Sequence, residues 1–171
     1  MMTLLLTKEE IKENGFINAN VDDEYIIPSI EEAQDVFLRE ILGDALLDKL
    51  VELTEAEHLD GKYEILVNDY IKYYLKYKTA GILGMNVNFK IRNAGVIQQY
   101  SAEISSVNLE ETKYIQNYFA EKADFYANRI TKWLELNKKD IPEYRHCCKQ
   151  VTNPNDNHPV STIYLGGINR K

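Results

Sequence analysis

The sequence predicts a mainly α protein: a helical bundle with two long helices, a small β-hairpin and an extended C-terminal arm. Apolar residues recur every three or four positions along most of the chain, often behind a capping box, which is typical of amphipathic helices. Around a turn at Asn93 to Gly95, apolar and polar residues alternate instead, as they do in a hairpin. The chain ends in VSTIYLGGINRK, an apolar, β-prone segment that follows the breaker-rich spacer VTNPNDNHP.

Length and composition are those of one ordinary globular domain. With 171 residues, the chain can bury roughly two thirds of the surface that it exposes when unfolded. Its 44% hydrophobic and 27% charged content argues against disorder. Cys147 and Cys148 are adjacent, so a disulfide between them would be strained, and a reducing compartment is predicted. No apolar stretch approaches the ~20 residues of a membrane span, so we expect a soluble, cytoplasmic protein with no membrane partner.

Charge is unevenly distributed along the chain. The net charge is −7, of which residues 149–171 contribute +2 and residues 1–148 contribute −9. Because an acidic body repels phosphate backbones, specific nucleic-acid binding is not expected. The basic tail could instead meet an acidic partner surface, including a neighbouring copy of the same body.

The first elements are predicted from a capping box and a glycine. Thr7 and Glu10 have capping-box spacing and predict about two turns of helix, which Gly15 ends. The apolar segment Leu4 to Leu6 is expected to pack beside this helix. Residues 15–28 are predicted to be a connection that ends at a proline.

A helix pair is predicted next. Ser29 and Glu32 form a second capping box, behind which one apolar face consists of Ile30, Ala33, Phe37 and Ile41. Gly43 is placed to end this helix in the left-handed conformation, and Asp44 is placed to cap the next helix. That next helix has an apolar face made of Leu46, Leu50 and Leu53.

The first long helix is predicted over 62–83, with Gly81 and Gly84 marking its end. Its expected core face consists of Leu66, Tyr70, Tyr73, Tyr77 and Ala80. Strand-like alternation begins at Val87, and the inserted hairpin is predicted over about 86–104.

The second long helix is predicted from a capping pair, Asn108 and Glu111, to about Asn137. Its expected core face consists of Ile115, Phe119, Tyr126, Ile130 and Trp133. At 1.5 Å per residue it would span about 44 Å. Pro142 is expected to end regular structure, so the chain divides into a helical domain over 1–148 and an arm over 149–171.

Residue types that suggest chemistry are better explained by ordinary structure. His146, Cys147, Cys148 and His158 could suggest zinc, but adjacent cysteines cannot easily direct both sulfurs to one tetrahedral centre. A second group could suggest acid–base catalysis, but a solvated loop would not shift its pKa values; it consists of Glu55, Glu57, His58 and Asp60. No phosphate loop, nucleophile elbow or HExxH is present. We therefore predict no catalytic residue, metal or cofactor.

Twelve tyrosines are a high content for a chain of this length. Several lie in the first long helix at core spacing, which favours core packing with hydroxyls reaching the rim. A subunit interface, where tyrosine is enriched, is the main alternative. Stacking on single-stranded nucleic acid is a further alternative.

Five predicted elements follow one another along the chain: the helix pair IPSIEEAQDVFLREILGDALLDKL, the tyrosine-rich helix, the hairpin, the long last helix and the trailing arm. Their order resembles that of a head–tail connector, or adaptor, of a tailed bacteriophage. The similarity covers about residues 25–137. The resemblance implies a mostly helical virion subunit that forms a ring, often a dodecamer, beneath the portal. It also implies a C-terminal arm that reaches the portal protein, an adjacent subunit or a neighbouring connector or tail protein. Before assembly into the virion, at the head–tail interface, the subunit would be in the host cytoplasm.

The arm is the predicted partner-binding element. Its candidate contact residues are apolar or basic and β-prone: Val160, Ile163, Tyr164, Leu165, Ile168, Arg170 and Lys171. Burying three or four of the apolar side chains would contribute about 1.5 to 3 kcal/mol each before ordering costs. The alternative is that the arm packs on its own domain as a last strand, against the 87–104 hairpin.

Three functional hypotheses remain at this point. The first is a structural ring component of a virion, without catalysis. The second is a small bacterial interaction or regulatory protein that binds a partner helix through its tyrosine-rich face. The third, an enzyme built on carboxylate ligands in a helical bundle, is weakened because none of the three histidines follows a Glu at Glu-x-x-His spacing.

Overall fold

The computed structural model describes residues 3–13, 17–18, 20–92, 95–98 and 109–144, with residues 88–98 and 109–112 described by their backbone alone. The protein is mainly helical, as predicted. The α-helices are α1 Lys8–Glu13, α2 Asp23–Glu32, α3 Arg39–Leu42, α4 Asp44–Glu55, α5 Gly61–Leu66, α6 Lys72–Asn88 and α7 Leu109–Asn137. Two short strands, β1 Phe89–Arg92 and β2 Gly95–Gln98, pair antiparallel with Phe89 opposite Gln98.

Two π-helical segments make longer rods out of these helices. Ala33–Leu38 joins α2 to α3, and Val67–Ile71 joins α5 to α6, so helical backbone is continuous over 23–42 and over 61–88. At the end of each segment a backbone N–H reaches back five residues, from Arg39 to Gln34 and from Lys72 to Val67. Each segment therefore inserts a residue relative to a regular α-helix.

The core is built around α6, which packs against α2 on one side and α7 on another. The first buried residues of the chain, Leu5 and Leu6, belong to this core. The Gln34 amide holds their segment, because its Oε1 accepts from the Leu5 N–H at 2.8 Å and its Nε2 donates to the Thr3 carbonyl at 3.0 Å. Gln34 is buried, and these bonds satisfy both ends of its amide.

The first capping box is confirmed. The Thr7 N–H donates to Glu10 Oε2 at 2.9 Å, and the Glu10 N–H donates to Thr7 Oγ1 at 3.2 Å. These reciprocal bonds satisfy two backbone donors at the start of α1.

The prediction of a second capping box, at Ser29 and Glu32, is wrong. Helix α2 begins at Asp23, so Pro28 lies inside it, and Ser29 is a buried helical residue. The Ser29 hydroxyl donates to the Tyr25 carbonyl at 2.8 Å and accepts from Asn86 Nδ2 at 3.1 Å. A proline inside a helix costs about 3 kcal/mol, but packing of the fully buried Ile26 and Ile30, together with the bond to α6, offsets it.

The predicted end of the first long helix is also wrong, because α6 continues through Gly81 and Gly84 to Asn88. The first strand accordingly begins at Phe89 rather than Val87. A Cβ added at Gly81 would lie 3.4 Å from the Phe119 Cβ of α7. Gly81 therefore serves close helix packing and does not terminate the helix.

The π-helical segments also shift the predicted core faces by about one residue. After the first segment the fully buried residues are Leu38 and Leu42, whereas the predicted Phe37 and Ile41 are only partly buried. From the end of the second segment onward the buried residues are Ile71, Tyr74, Leu75, Thr79, Ala80 and Leu83, of which Ala80 was predicted. The predicted Tyr70, Tyr73 and Tyr77 are displaced toward the rim.

The predictions for the remaining turns and helices are partly correct. Gly43 has φ +78° and ψ 162°, so its φ is positive as predicted, but its ψ lies outside the left-handed helical region. Asp44 is the first residue of α4 rather than its cap, and its carboxylate accepts from Arg39 at 3.0 Å. Leu46 and Leu50 are buried, while Leu53 is only partly so. Helix α7 ends at Asn137, as predicted.

Candidate interaction surface

The rings between α6 and α7 form what we term the tyrosine seam: Tyr70, Tyr73, Tyr77 and Tyr126. Tyr126 is stacked near-parallel with both Tyr73 and Tyr77, with ring centroids 5.5 Å apart in each pair. Tyr70 lies 5.6 Å from the Trp133 ring. Such pairs add about 0.5 to 1.5 kcal/mol each beyond burial, so the seam joins the two helices firmly.

The seam is partly open to solvent. Tyr73 is 45% exposed, and Lys76 lies over its ring at 5.6 Å. Burial raises the pKa of Tyr77, and the neighbouring tyrosines raise it further. Tyr74, which points away from the seam into the core, has its pKa raised strongly by burial. The phenols of Tyr74 and Tyr77 are therefore neutral at physiological pH.

A second row of side chains runs along the outer flank of α7, next to the seam. We call it the aromatic–basic stripe, and it consists of Tyr114, Tyr118, Lys122, Phe125, Arg129, Lys132 and Leu136. Its intervals of three and four residues place all seven side chains on one face of a helix. Over 22 residues the stripe is about 33 Å long.

The apolar members of the stripe are unusually exposed. Tyr114 is 75% exposed, Phe125 58% and Leu136 85%. Single exposed apolar residues are common, but a contiguous row of large ones marks an interaction surface. Aromatic residues and arginine are also the side chains most enriched in protein interfaces.

Cations of the stripe lie over its rings. Lys122 lies 5.6 Å from the Tyr118 ring centroid, and the Arg129 guanidinium lies 6.0 Å from that of Phe125. Arg129 is also 5.1 Å from the Tyr70 ring, so it joins the stripe to the tyrosine seam. Cation–π contacts of this kind hold the long basic side chains in place.

A groove lies on the other flank of the helix pair, where α6 and α7 approach at Gly81. It has a volume of about 390 Å³ and is lined mainly by Tyr77, Gly81, Ile82, Met85, Phe119 and Ala120. A smaller groove of about 220 Å³ lies on the opposite side of Phe119. Both are mostly apolar and open.

The residues that the sequence suggested for chemistry fall into two groups. Glu55 is exposed at the end of α4, and Glu57, His58 and Asp60 are exposed in the turn that follows, where His58 Nδ1 lies 2.7 Å from the Ala56 carbonyl oxygen. This agrees with a solvated connection. His146, Cys147, Cys148 and His158 lie outside the described residues. Within the described ranges, no group of three or more His, Cys, Asp or Glu side chains could hold a metal ion.

The predicted partner-binding residues of the arm also lie outside the described residues: Val160, Ile163, Tyr164, Leu165, Ile168, Arg170 and Lys171. The aromatic–basic stripe was not predicted. The row from Ile115 to Trp133 was predicted to face the core; of this row Ile130 is buried, whereas Ile115 is 43% exposed. The intervals between Tyr114 and Leu136 would have revealed the second row beside it.

A bilayer-spanning helix, which needs about 20 apolar residues, is not found in the described part of the chain. Comparison with curated proteins gave no match. Comparison with solved structures gave none either. A family model does match residues 38–154, which include α4, α6 and all of α7 with its stripe, and the chain therefore belongs to DUF6712, a family of unknown function.

Proposed function

We propose that this chain is a structural virion protein, a head–tail connector or adaptor subunit that forms a ring under the portal of a tailed bacteriophage and docks through its C-terminal arm. The observation that carries the proposal is the exposed aromatic–basic stripe of α7. A helical body that presents such a row to solvent is suited to assembly with other protein molecules.

The order of elements supports the same proposal. The helix pair, the tyrosine-rich helix and the long last helix follow one another as they do in the connectors that the sequence resembles. In our proposal the strands β1 and β2 belong to the inserted hairpin of about 86–104, and residues 149–171 form the arm. In a ring every subunit repeats each contact, so a weak single contact becomes strong collectively.

The proposal is tested by measuring the mass of the full chain, alone and with the portal protein, by sedimentation. We expect a ring-sized species. Deleting residues 151–171 should abolish assembly while leaving helical content and melting temperature nearly unchanged. The full-length variant Ile163→Asp/Leu165→Asp should have the same effect, because it places two charges in the docking segment.

A monomer at every concentration, even with the portal protein, would contradict the ring. A large loss of folded stability on deletion would instead show that the arm belongs to its own core. A third result, assembly that does not depend on the arm, would support the ring and contradict docking through the arm.

A second function, from another class, is favoured by the tyrosine seam. Tyr73 and Tyr126 present a partly open stacked surface, as would suit a small interaction or regulatory protein that binds a partner helix there. A defined heteromeric complex of low mass, in place of a ring, would support this alternative.

A further inference from the structure

Helix α4 carries a row of its own that is complementary to the aromatic–basic stripe. Asp44, Asp48, Glu52 and Glu55 recur at intervals of four, four and three residues and are all exposed. On an α-helix this spacing places the four carboxylates on one face. We refer to them as the acidic row.

The acidic row lies in the most negative part of the chain. Residues 31–60 contain ten Asp and Glu against Arg39 and Lys49, a net charge of −8, which exceeds the −7 of the whole chain. Arg39 pairs with Asp44 and Asp48, and Lys49 pairs with Glu52. Two cations cannot neutralise four carboxylates, so the row stays negative. Such a field attracts a positive surface.

The aromatic–basic stripe is positive, and the ring contacts of Lys122 and Arg129 leave that positive charge unneutralised. Its charged members are Lys122, Arg129 and Lys132, and no acidic residue belongs to it. Within the described residues, none of these three cations forms an ion pair with a carboxylate. The described part of the fold therefore leaves their charge available to another molecule.

The two rows also match in length. From Lys122 to Lys132 is ten residues, or about 15 Å along α7. From Asp44 to Glu55 is eleven residues, or about 17 Å along α4. Two antiparallel or parallel helices can therefore bring the charged rows together over their full length, while Tyr118, Phe125 and Leu136 supply apolar contact beside them.

We infer that the aromatic–basic stripe of one copy binds the acidic row of a second copy, and the inference rests on the ring proposed above. In the proposed ring the contact is head-to-tail, because the stripe of each copy meets the acidic row of one neighbour and its acidic row meets the stripe of the other. Contacts of that type give rings when the rotation between copies closes and open filaments when it does not. A twofold pairing of like surfaces would instead place like charges opposite each other, which costs several kcal/mol.

Charge reversal in the full chain tests the contact directly. Variant A carries Lys122→Glu, Arg129→Glu and Lys132→Glu, and variant B carries Asp48→Lys, Glu52→Lys and Glu55→Lys. Under conditions in which the wild type assembles, we expect each variant alone to associate on the order of a hundredfold more weakly. An equimolar mixture of A and B should recover assembly, because every A–B contact again joins opposite charges.

Matched variants control for charge alone. Lys113→Glu/Lys138→Glu/Lys139→Glu changes the net charge as A does but lies outside the stripe, and all three lysines are exposed. Glu24→Lys/Glu64→Lys/Glu121→Lys is the counterpart of B, again on exposed residues. Both controls should assemble like the wild type. Circular dichroism and melting must show that A and B are folded.

The outcomes separate this inference from the proposed function. Normal assembly of A and B would overturn the inference and leave the ring standing. Failure of A and B without recovery in the mixture would also overturn it, because the two rows would then meet other surfaces. A wild type that never assembles would overturn the ring and the inference together.

Discussion

Helices α6 and α7 lie side by side, yet they use their apolar residues differently. The middle of α6 is enclosed by α2 and α7, and its Tyr74, Leu75 and Leu83 are buried. Helix α7 buries Ala123, Ile130 and Leu134 on one face and exposes aromatic residues on its outer flank. The buried residues of α6 are thus explained by the fold of the chain itself, whereas the exposed aromatic residues on the outer flank of α7 are not, and we therefore look to another molecule for their contacts.

The strongest test of this difference compares one leucine from each helix. Leu75→Ala in α6 should lower the free energy of unfolding by about 2 to 5 kcal/mol, because it empties space in a fully buried site. The matched change Leu136→Ala in α7 should alter it by no more than about 0.5 kcal/mol, because that side chain is 85% exposed. Denaturant unfolding measures both. Equal losses of unfolding free energy would mean that the Leu136 side chain is buried by contacts within the same chain.

The close approach of the two helices is tested at a glycine. Gly81→Leu should cost about 1 to 3 kcal/mol, because its Cβ would already lie 3.4 Å from the Phe119 Cβ, so that the larger side chain must push α7 away or turn into the adjoining groove. Gly84→Leu is the control: a Cβ there meets nothing within 4 Å. Thermal unfolding of the two variants should separate them clearly. If Gly84→Leu proves the more damaging, the helices do not meet at Gly81.

Removing a buried hydroxyl from α6 should have a smaller effect, and it should raise the free energy of unfolding rather than lower it. Thr79 Oγ1 is buried and has no hydrogen-bond partner among the described residues. Thr79→Val keeps the shape and should raise the unfolding free energy by about 1 kcal/mol. In α7 the Thr131 hydroxyl donates to the Ala127 carbonyl at 3.1 Å. Thr131→Val should therefore give no such gain, and a gain at both positions would exclude desolvation of Thr79 as the cause.

The smallest expected effect concerns pH and the attachment of α1 to α6. Burial would raise the pKa of Glu10, but its hydrogen bonds with Lys72 and Thr7 outweigh burial and leave the pKa below its ordinary value. A lowered folded-state pKa stabilises the fold above the unfolded-state value, near 4.3, and this stabilisation is lost as pH falls through the folded-state value.

Glu10→Gln should therefore lower stability at pH 7 by less than about 1 kcal/mol and reduce the further loss on acidification. Unfolding free energies at pH 7 and pH 3 measure this difference. An unchanged pH dependence in the variant would show that the Glu10–Lys72 contact does not couple protonation to folding.

Local signals in the sequence were sufficient for some elements. Thr7 and Glu10 formed the predicted capping box because its bonds lie within four residues of each other. Helix α7 ended at Asn137 as predicted, close to Pro142. By contrast, Pro28 and Gly81 are helix breakers by propensity but lie inside helices, because contacts between distant segments decided their conformation.

The candidate surface could be predicted only in part. The intervals from Tyr114 to Leu136 are visible in the sequence, but two apolar rows lie side by side on α7. Which row is covered depends on where α6 packs, and that is a tertiary property. The position of Tyr73 at the rim could not be predicted for a similar reason. The π-helical segment that shifts the core face of α6 leaves no clear mark in the spacing of apolar residues.

The inserted residues of the two π-helical segments bear on how members of the DUF6712 family should be aligned. Removing one residue from 33–38 or from 67–71 would turn a wide turn into a regular one and leave the residues beyond it on the same faces, whereas a one-residue deletion in a regular α-helix rotates everything beyond it by about 100° about the axis. Relatives that differ by a single-residue gap inside these helices can thus retain the same interior. An alignment that forbids gaps there would pair inward residues such as Leu38 or Leu75 with outward ones.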